Sequence, residues 1–580
     1  MHHDRAAERA GRRDDLFGPE RLAEHARQLA QHQVLADSRA DRLPRRRNQG
    51  PLLARLRRNE RVLAEVRAAL DGAARRGFDV SPAGAWLLDN YFVIQEQVRE
   101  IRASMPAGYY RELPKLDTPS AYAGFPRVYE LAIELIAHTD GCVELQNIEL
   151  LVREYQRVRP LTIGELWALP IMLRMGLLEN VRRMALRTAR DLADQEAADA
   201  WVTRFRSATL ESHNALAREL SAFVAGPPEL TPAFLTRFVQ QLRSRRTDFT
   251  PLFWLEQWIA EDAMSMEEAT QRSTQRLALT QLVMANSITS LRTVASLDWR
   301  EFVESASVSD AILCRDPAGI YTAMTFETRD RYRHAVERLA RRGGRAEPEV
   351  AAIAIAVAET AARAEAPERL RHVGYYLMDE GRADLERALS YRPSLGERLR
   401  RWVLRHPSPV YFGALALATA LALALLLLPL PDHPGVGTII AAACLAFLPA
   451  TAAAIAFVNE LVTSALPPTR LSRLDFTAGV PEDRRTIVVV PLLLWSEDAA
   501  HDAVDRLETQ YLANRDPAIR FALLSDVPDA SSENVAADAA IMNAAITHVR
   551  RAGAEFHVKR TSRSATSASR PARAGRTRRR

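Results

Sequence analysis

Two stretches without a single charge constrain this 580-residue chain more than anything else in it. Val410–Leu430 and Thr438–Val458 are 21 residues each, built from apolar, small and hydroxyl side chains. A helix needs roughly 20 such residues to cross a hydrocarbon core of about 30 Å. Between them lies Pro431-Asp432-His433-Pro434-Gly435-Val436-Gly437, a polar hairpin with no Lys or Arg. Arg392, Arg398, Arg400, Arg401 and Arg405 precede the pair, and Arg470, Arg473, Arg484 and Arg485 follow it. The bias of cytoplasmic loops toward Arg and Lys predicts both flanks in the cytoplasm and the hairpin outside. The expected protein is therefore a multi-pass one with both termini cytoplasmic and the lipid bilayer as a partner. Trp402, Tyr411 and Phe412 are expected near the inner interface. The competing fold is a buried helical hairpin in a large soluble protein.

Upstream, helical periodicity dominates. From Trp86 to Ile101 apolar residues fall at Leu87, Leu88, Tyr91, Phe92, Ile94, Val98 and Ile101, intervals of three and four that put one stripe on a helix. Similar stripes run through Val128–Ala137, Ile148–Val158, Leu166–Leu178, Leu252–Ile259 and Leu277–Leu291. Strand alternation is absent before residue 486. Residues 51–406 are thus expected to form an all-α cytosolic domain. Residues 1–50 are expected to be a flexible leader, with one amphipathic helix around Leu16–Leu35.

After the apolar pair the texture changes. Thr486–Leu494 is a β-branched apolar run suited to a strand buried on both faces. Ser496-Glu497-Asp498 suits a helix start, and that helix continues to Ala513 with Ala503, Leu507, Tyr511 and Leu512 facing inward. Ile519–Leu524 is a second strand, a helix is expected over Asn534–Arg550, and Glu555–Val558 begins a third strand. Strand, helix, strand at this spacing predicts a parallel sheet. The fold class is thus mainly α: a helical domain, a transmembrane hairpin (410–458), and the truncated start of a Rossmann-type α/β domain (486–558).

Ligands of open parallel sheets bind beyond the carboxyl ends of the strands, where Asp526 stands. Either its carboxylate meets a nucleotide base or ribose, or it merely starts the turn Asp526-Val527-Pro528-Asp529. Three scattered cysteines (Cys142, Cys314, Cys444) offer neither a disulfide framework nor metal spacing. His138 with Asp140 lacks further ligands nearby in sequence. Trp86, Tyr109, Tyr110, Tyr122 and Tyr129 either stack on sugars or fill the core, as aromatics at helical spacing do.

Charge excludes one class of partner. The stretch from Lys559 to Arg580 holds nine cations and no acid, and removing those nine from the chain's +6 leaves −3 for the remainder. A nucleic-acid partner therefore has no electrostatic basis in the body of the chain. The tail (559–580) is expected to be disordered. Two lysines against 76 arginines suggest GC-rich coding, in which a slipped frame yields such a tail; binding to lipid headgroups or nucleic acid is the alternative.

Several runs resemble the N-terminal region of bacterial cyclic β-1,2-glucan synthases. They include Gly77-Phe78-Asp79, Trp86–Phe92, Glu96–Arg102, Gly108–Pro114, Phe125–Tyr129 and Ala137–Asp140. Further along come Arg159–Pro170 (RPLTIGELWALP), Ile288–Arg292, Leu297–Arg300, Arg315–Tyr321, Thr328–Arg333, Tyr511–Asp516 and Phe521–Asp526. The resemblance covers roughly residues 45–558. It implies a glycosyltransferase of the bacterial inner membrane, which polymerises and cyclises glucose from UDP-glucose with a divalent cation (Mg or Mn). It also implies a GT-A-like domain in which Asp526 is the uridine-side carboxylate. The 580 residues contain no Asp-x-Asp pair and no Gln-x-x-Arg-Trp run. The expectation is a membrane-anchored N-terminal fragment, catalytically silent alone, with no cofactor of its own. The alternative is a non-catalytic scaffold or regulator of a complete synthase.

Overall fold

The computed structural model describes residues 16–36, 51–105, 112–117, 121–243, 255, 257–258, 265–428, 435–466, 468, 471–529 and 536–556. The described residues are 75% helix, and the chain divides into two units, Met1–Thr322 with Phe326–Arg470, and Ala323–Thr325 with Leu471–Arg580.

The first unit is built around the helix Ile163–Glu211. Its start is over-determined: the Thr162 side chain accepts the Glu165 amide, and the Glu165 carboxylate accepts the Thr162 amide, a reciprocal cap that satisfies two otherwise orphaned donors. Its first turns are buried nearly all round, through Leu166, Leu169, Met172, Leu173, Leu177 and Val181. The helices Pro51–Arg75, Arg127–His138 and Met266–Ser296 surround this half. Close approach needs Gly176, where a β-carbon would fall 2.6 Å from Ile136 Cδ1. Toward its C-terminus a second cluster forms from Phe205, Phe223, Phe234 and Phe238.

Two expectations for this unit change. The stripe from Trp86 to Ile101 is two helices, Pro82–Asp89 and Tyr91–Ser104. The break is at Asn90, whose amide donates to the Trp86 carbonyl at 2.9 Å and so competes with the helix ladder. Part of the expected flexible leader is instead docked: Pro19–His32 is a helix with Leu22, Ala26 and Ala30 buried. Residues 1–15, 37–50 and the tail from 557 lie outside the described residues, as do most of 252–259 and the hairpin tip at 431–434.

The uncharged runs are the helices Pro407–Leu427 and Val436–Ala465, both long and apolar enough to cross a membrane. Tyr411 donates to Asn459 Oδ1 at 2.9 Å, which pairs the beginning of the first helix with the later turns of the second. Buried positions on the second are Ala450, Ala454 and Val458, a four-residue spacing of small side chains that lets helices approach in lipid. Most other side chains face outward, Leu417, Leu421, Leu425, Leu445 and Phe457 among them, unlike the core hairpin of a soluble protein. Just upstream, Leu395–Arg405 carries Leu395, Leu399 and Trp402 exposed on one stripe among four arginines, the pattern of a helix lying in a membrane interface.

In the second unit β1 (Thr486–Leu493) pairs in parallel with β2 (Ile519–Asp526), Thr486 opposite Ile519 and Leu493 opposite Asp526. The helices Glu497–Ala513 and Ala536–Phe556 close a small core of Leu494, Ala500, Ile541 and Ala545. Three expectations are corrected. β1 is not buried on both faces: Ile487, Val489 and Leu493 are exposed, because the helices cover one side of the sheet. Of the positions expected to face inward on its helix, Ala503 packs against this core and Leu507 and Tyr511 are half-buried, but Leu512 is exposed; the fully buried positions are Ala500 and Val504. Glu555 and Phe556 continue a helix instead of opening a third strand.

Candidate functional site

The carboxyl edge of the two strands is assembled by local rules. Ser496 caps the helix after β1, its Oγ accepting the Ala499 amide at 3.1 Å, and Glu497 and Asp498 occupy that helix's first turn where acids are favoured. Asp526 is the last residue of β2 and is exposed. Its Oδ1 accepts the Val527 amide at 2.9 Å, so the turn role and an outward carboxylate coexist. Trp495, 68% exposed, follows the end of β1 by two residues. The edge carries the carboxylates of Asp526, Glu497 and Asp498 and the exposed indole of Trp495. Among the described residues, no group of three metal-ligating side chains gathers at this edge.

The synthase-like runs of the helical unit meet one another in space. Arg127 of Phe125–Tyr129 binds Glu165 of Arg159–Pro170 in a buried ion pair. Arg292 of Ile288–Arg292 donates to Asn90 of Trp86–Phe92 at 2.8 Å. Ser290 donates to the Gly141 carbonyl and accepts the Val143 amide, both at 2.8 Å. Gly141, at φ +77° directly after Asp140, has no room for a side chain: a β-carbon would lie 2.5 Å from Ser287 Oγ. Asp316 of Arg315–Tyr321 accepts from His372 Nδ1 at 2.7 Å and from the Val373 amide at 2.8 Å. Burial opposes its charge, but those bonds prevail and hold its carboxyl below the usual range. In these pairs the resemblance motifs act as fasteners between helices.

The aromatic candidates separate. Tyr129 and Tyr122 are core residues, their rings edge to face at 6.1 Å. Trp86 remains 40% exposed, and Tyr109 and Tyr110 lie outside the described residues.

Two arrangements went unseen in the sequence. An open cleft of about 720 Å³ is lined by Trp167, Asp330, His334, Glu337 and Glu112 among others. It joins the Arg159–Pro170 run to Thr328–Arg333. Hydrogen bonds to Asp330 and Glu337 raise the His334 imidazole to about 10, which keeps it cationic at neutral pH. The second arrangement corrects the expectation that His138 has no further ligands. His25 and Glu134 stand beside it, His25 Nε2 3.0 Å and His138 Nε2 3.4 Å from Glu134 Oε2. Only the Glu134–His138 spacing of four was visible in sequence.

No protein-family model matches the chain. It is 34% identical over 496 residues to the cyclic beta-(1,2)-glucan synthase NdvB of Rhizobium meliloti (strain 1021), an alignment that takes in 84% of this chain and 17% of that protein.

Proposed function

We propose, for a chain that is a partial homologue of the cyclic β-(1,2)-glucan synthases, that it is the membrane-embedded helical and nucleotide-side portion of a UDP-glucose-dependent glucan synthase. The observation that carries this is an identity spread over 84% of the chain, in company with motif pairs that fasten one helical body. Pro407–Leu427 and Val436–Ala465 cross the inner membrane with Arg-rich flanks in the cytoplasm, and Leu395–Arg405 lies along its surface.

In this account the second unit is the beginning of a GT-A-like domain, and Asp526 accepts hydrogen bonds from the uridine or ribose. The exposed apolar face of β1 supports that assignment, because parallel sheets are ordinarily covered on both faces. We place the growing glucan in the cleft at Trp167. An indole plane flanked by carboxylates and cationic side chains suits the apolar face and hydroxyl rim of a glucose unit. Glycosyl transfer also requires charge stabilisation at the leaving diphosphate and a base for the acceptor hydroxyl. The 580 residues carry no Asp-x-Asp pair for the first, so we assign no transfer step to this chain alone.

Topology is tested by single cysteines, in a chain lacking its three natural ones, placed at Arg398, Gly435 and Ser472. A membrane-impermeant maleimide, added to intact spheroplasts, is expected to label only the cysteine at 435. Labelling at 398 or 472, or recovery of the chain in the soluble fraction, would overturn it.

A further inference from the structure

Glu134 and His138 stand four residues apart on one face of the helix Arg127–His138. His25 reaches them from the helix Pro19–His32, 109 residues before Glu134. One ligand atom from each of the three lies within 4.8 Å of the others. The two imidazole nitrogens sit 3.0 and 3.4 Å from the same carboxylate oxygen. Four-coordinate zinc, with bonds of about 2.0–2.1 Å, sets its ligand atoms about 3.3 Å apart, so the existing spacing already approximates a coordination shell. Phe17 walls one side, stacked on His138 at 3.7 Å between ring centroids and edge-on to His25 at 5.4 Å, and its amide donates to the His138 carbonyl at 3.1 Å. His138 is 3% exposed, whereas the side chains of His25 and Glu134 are each 23% exposed, which leaves an entry path and room for a water as fourth ligand.

We propose that His25, Glu134 and His138 form a binding site for a divalent transition ion of the zinc class, which clasps the N-terminal helix to the helical body. Two imidazoles and one carboxylate are a borderline donor set that favours zinc over magnesium or calcium, which prefer all-oxygen shells. On binding, each imidazole presents its Nε2 lone pair to the ion and carries its proton on Nδ1, and Glu134 exchanges two hydrogen bonds for a metal bond.

The test uses the full chain purified in detergent, stripped with EDTA, loaded with zinc and desalted before elemental analysis. The expected result is one zinc per chain, a raised thermal midpoint on loading, and visible d–d absorption of tetrahedral type when Co²⁺ replaces zinc. His25→Gln changes a partly exposed position and is expected to fold yet lose all three signals. Glu134→Gln does the same at the shared oxygen. Removing His2 and His3 together is expected to change none of them. Absence of bound zinc in the natural chain would overturn the proposal. So would undiminished zinc and cobalt signals in a folded His25→Gln chain, which would mean the metal sits elsewhere and the trio is a plain hydrogen-bonded contact.

Discussion

Arg127 and Glu165 form a two-pronged ion pair inside the helical body, Nε to Oε1 at 2.5 Å and Nη2 to Oε2 at 2.7 Å. The Arg127 side chain is 3% exposed and that of Glu165 is 0%. The same carboxylate accepts the Thr162 amide at 2.9 Å, so the pair ties the start of the long helix to the helix Arg127–His138. Arg127 also donates to the Pro160 carbonyl at 2.9 Å. Removing one member leaves the other charged and buried, which typically costs about 3–5 kcal/mol. Arg127→Ala is therefore expected to lower the thermal midpoint of the detergent-solubilised chain sharply, and Arg127→Ala with Glu165→Ala together to cost less than the two changes added. Strict additivity would show that the two groups do not interact.

Glu347 gives the helical body a pH dependence. Its carboxyl is 5% exposed, and burial raises it to about 8 although the Ile163 amide donates to it at 2.9 Å. Between the ordinary value of 4.5 and about 8 the folded state holds a proton that the unfolded chain has released. Stability therefore falls as pH rises through that window and levels off above it. Glu347→Gln is expected to flatten this part of a melting-temperature profile. An unchanged slope in the variant would show that Glu347 does not set it.

Trp167 tests the glucan cleft. Trp167→Ala is expected to weaken binding of β-1,2-linked glucose oligomers by up to roughly tenfold, on the scale of about 0.5–1.5 kcal/mol for loss of an aromatic contact. Calorimetry with defined oligomers reads this out. Equal affinity in both chains would remove the glucan from this cleft.

Asp526 tests the nucleotide side. The residue is exposed, so Asp526→Asn is expected to leave the melting temperature unchanged. It is expected to weaken UDP binding about tenfold or more, since hydrogen bonds to charged groups contribute about 1.5–3 kcal/mol. Saturation-transfer NMR with UDP gives the comparison, and indistinguishable signals would leave Asp526 with its turn alone.

Much of the architecture was readable because its signals are local. The uncharged runs needed only composition, and Ser496 announced its helix by type and spacing. The limits were equally physical. Nothing in the period of Trp86–Ile101 betrays the break at Asn90, which depends on that amide bonding to Trp86 and on Arg292, far along the chain, holding its carbonyl oxygen. β1 reads as a strand buried on both faces because sequence records hydrophobicity and not what covers it. His25 meets His138 through tertiary packing alone. Asp526 was legible as a strand-end acid because the strand and the turn after it are local signals.

The most direct measurement supplies radiolabelled UDP-glucose with Mg²⁺ or Mn²⁺ to the purified chain in liposomes. The expected result is nucleotide contact without incorporation of glucose into protein or glucan. Labelled β-1,2-glucan formed by this chain unaided by any second protein would contradict it.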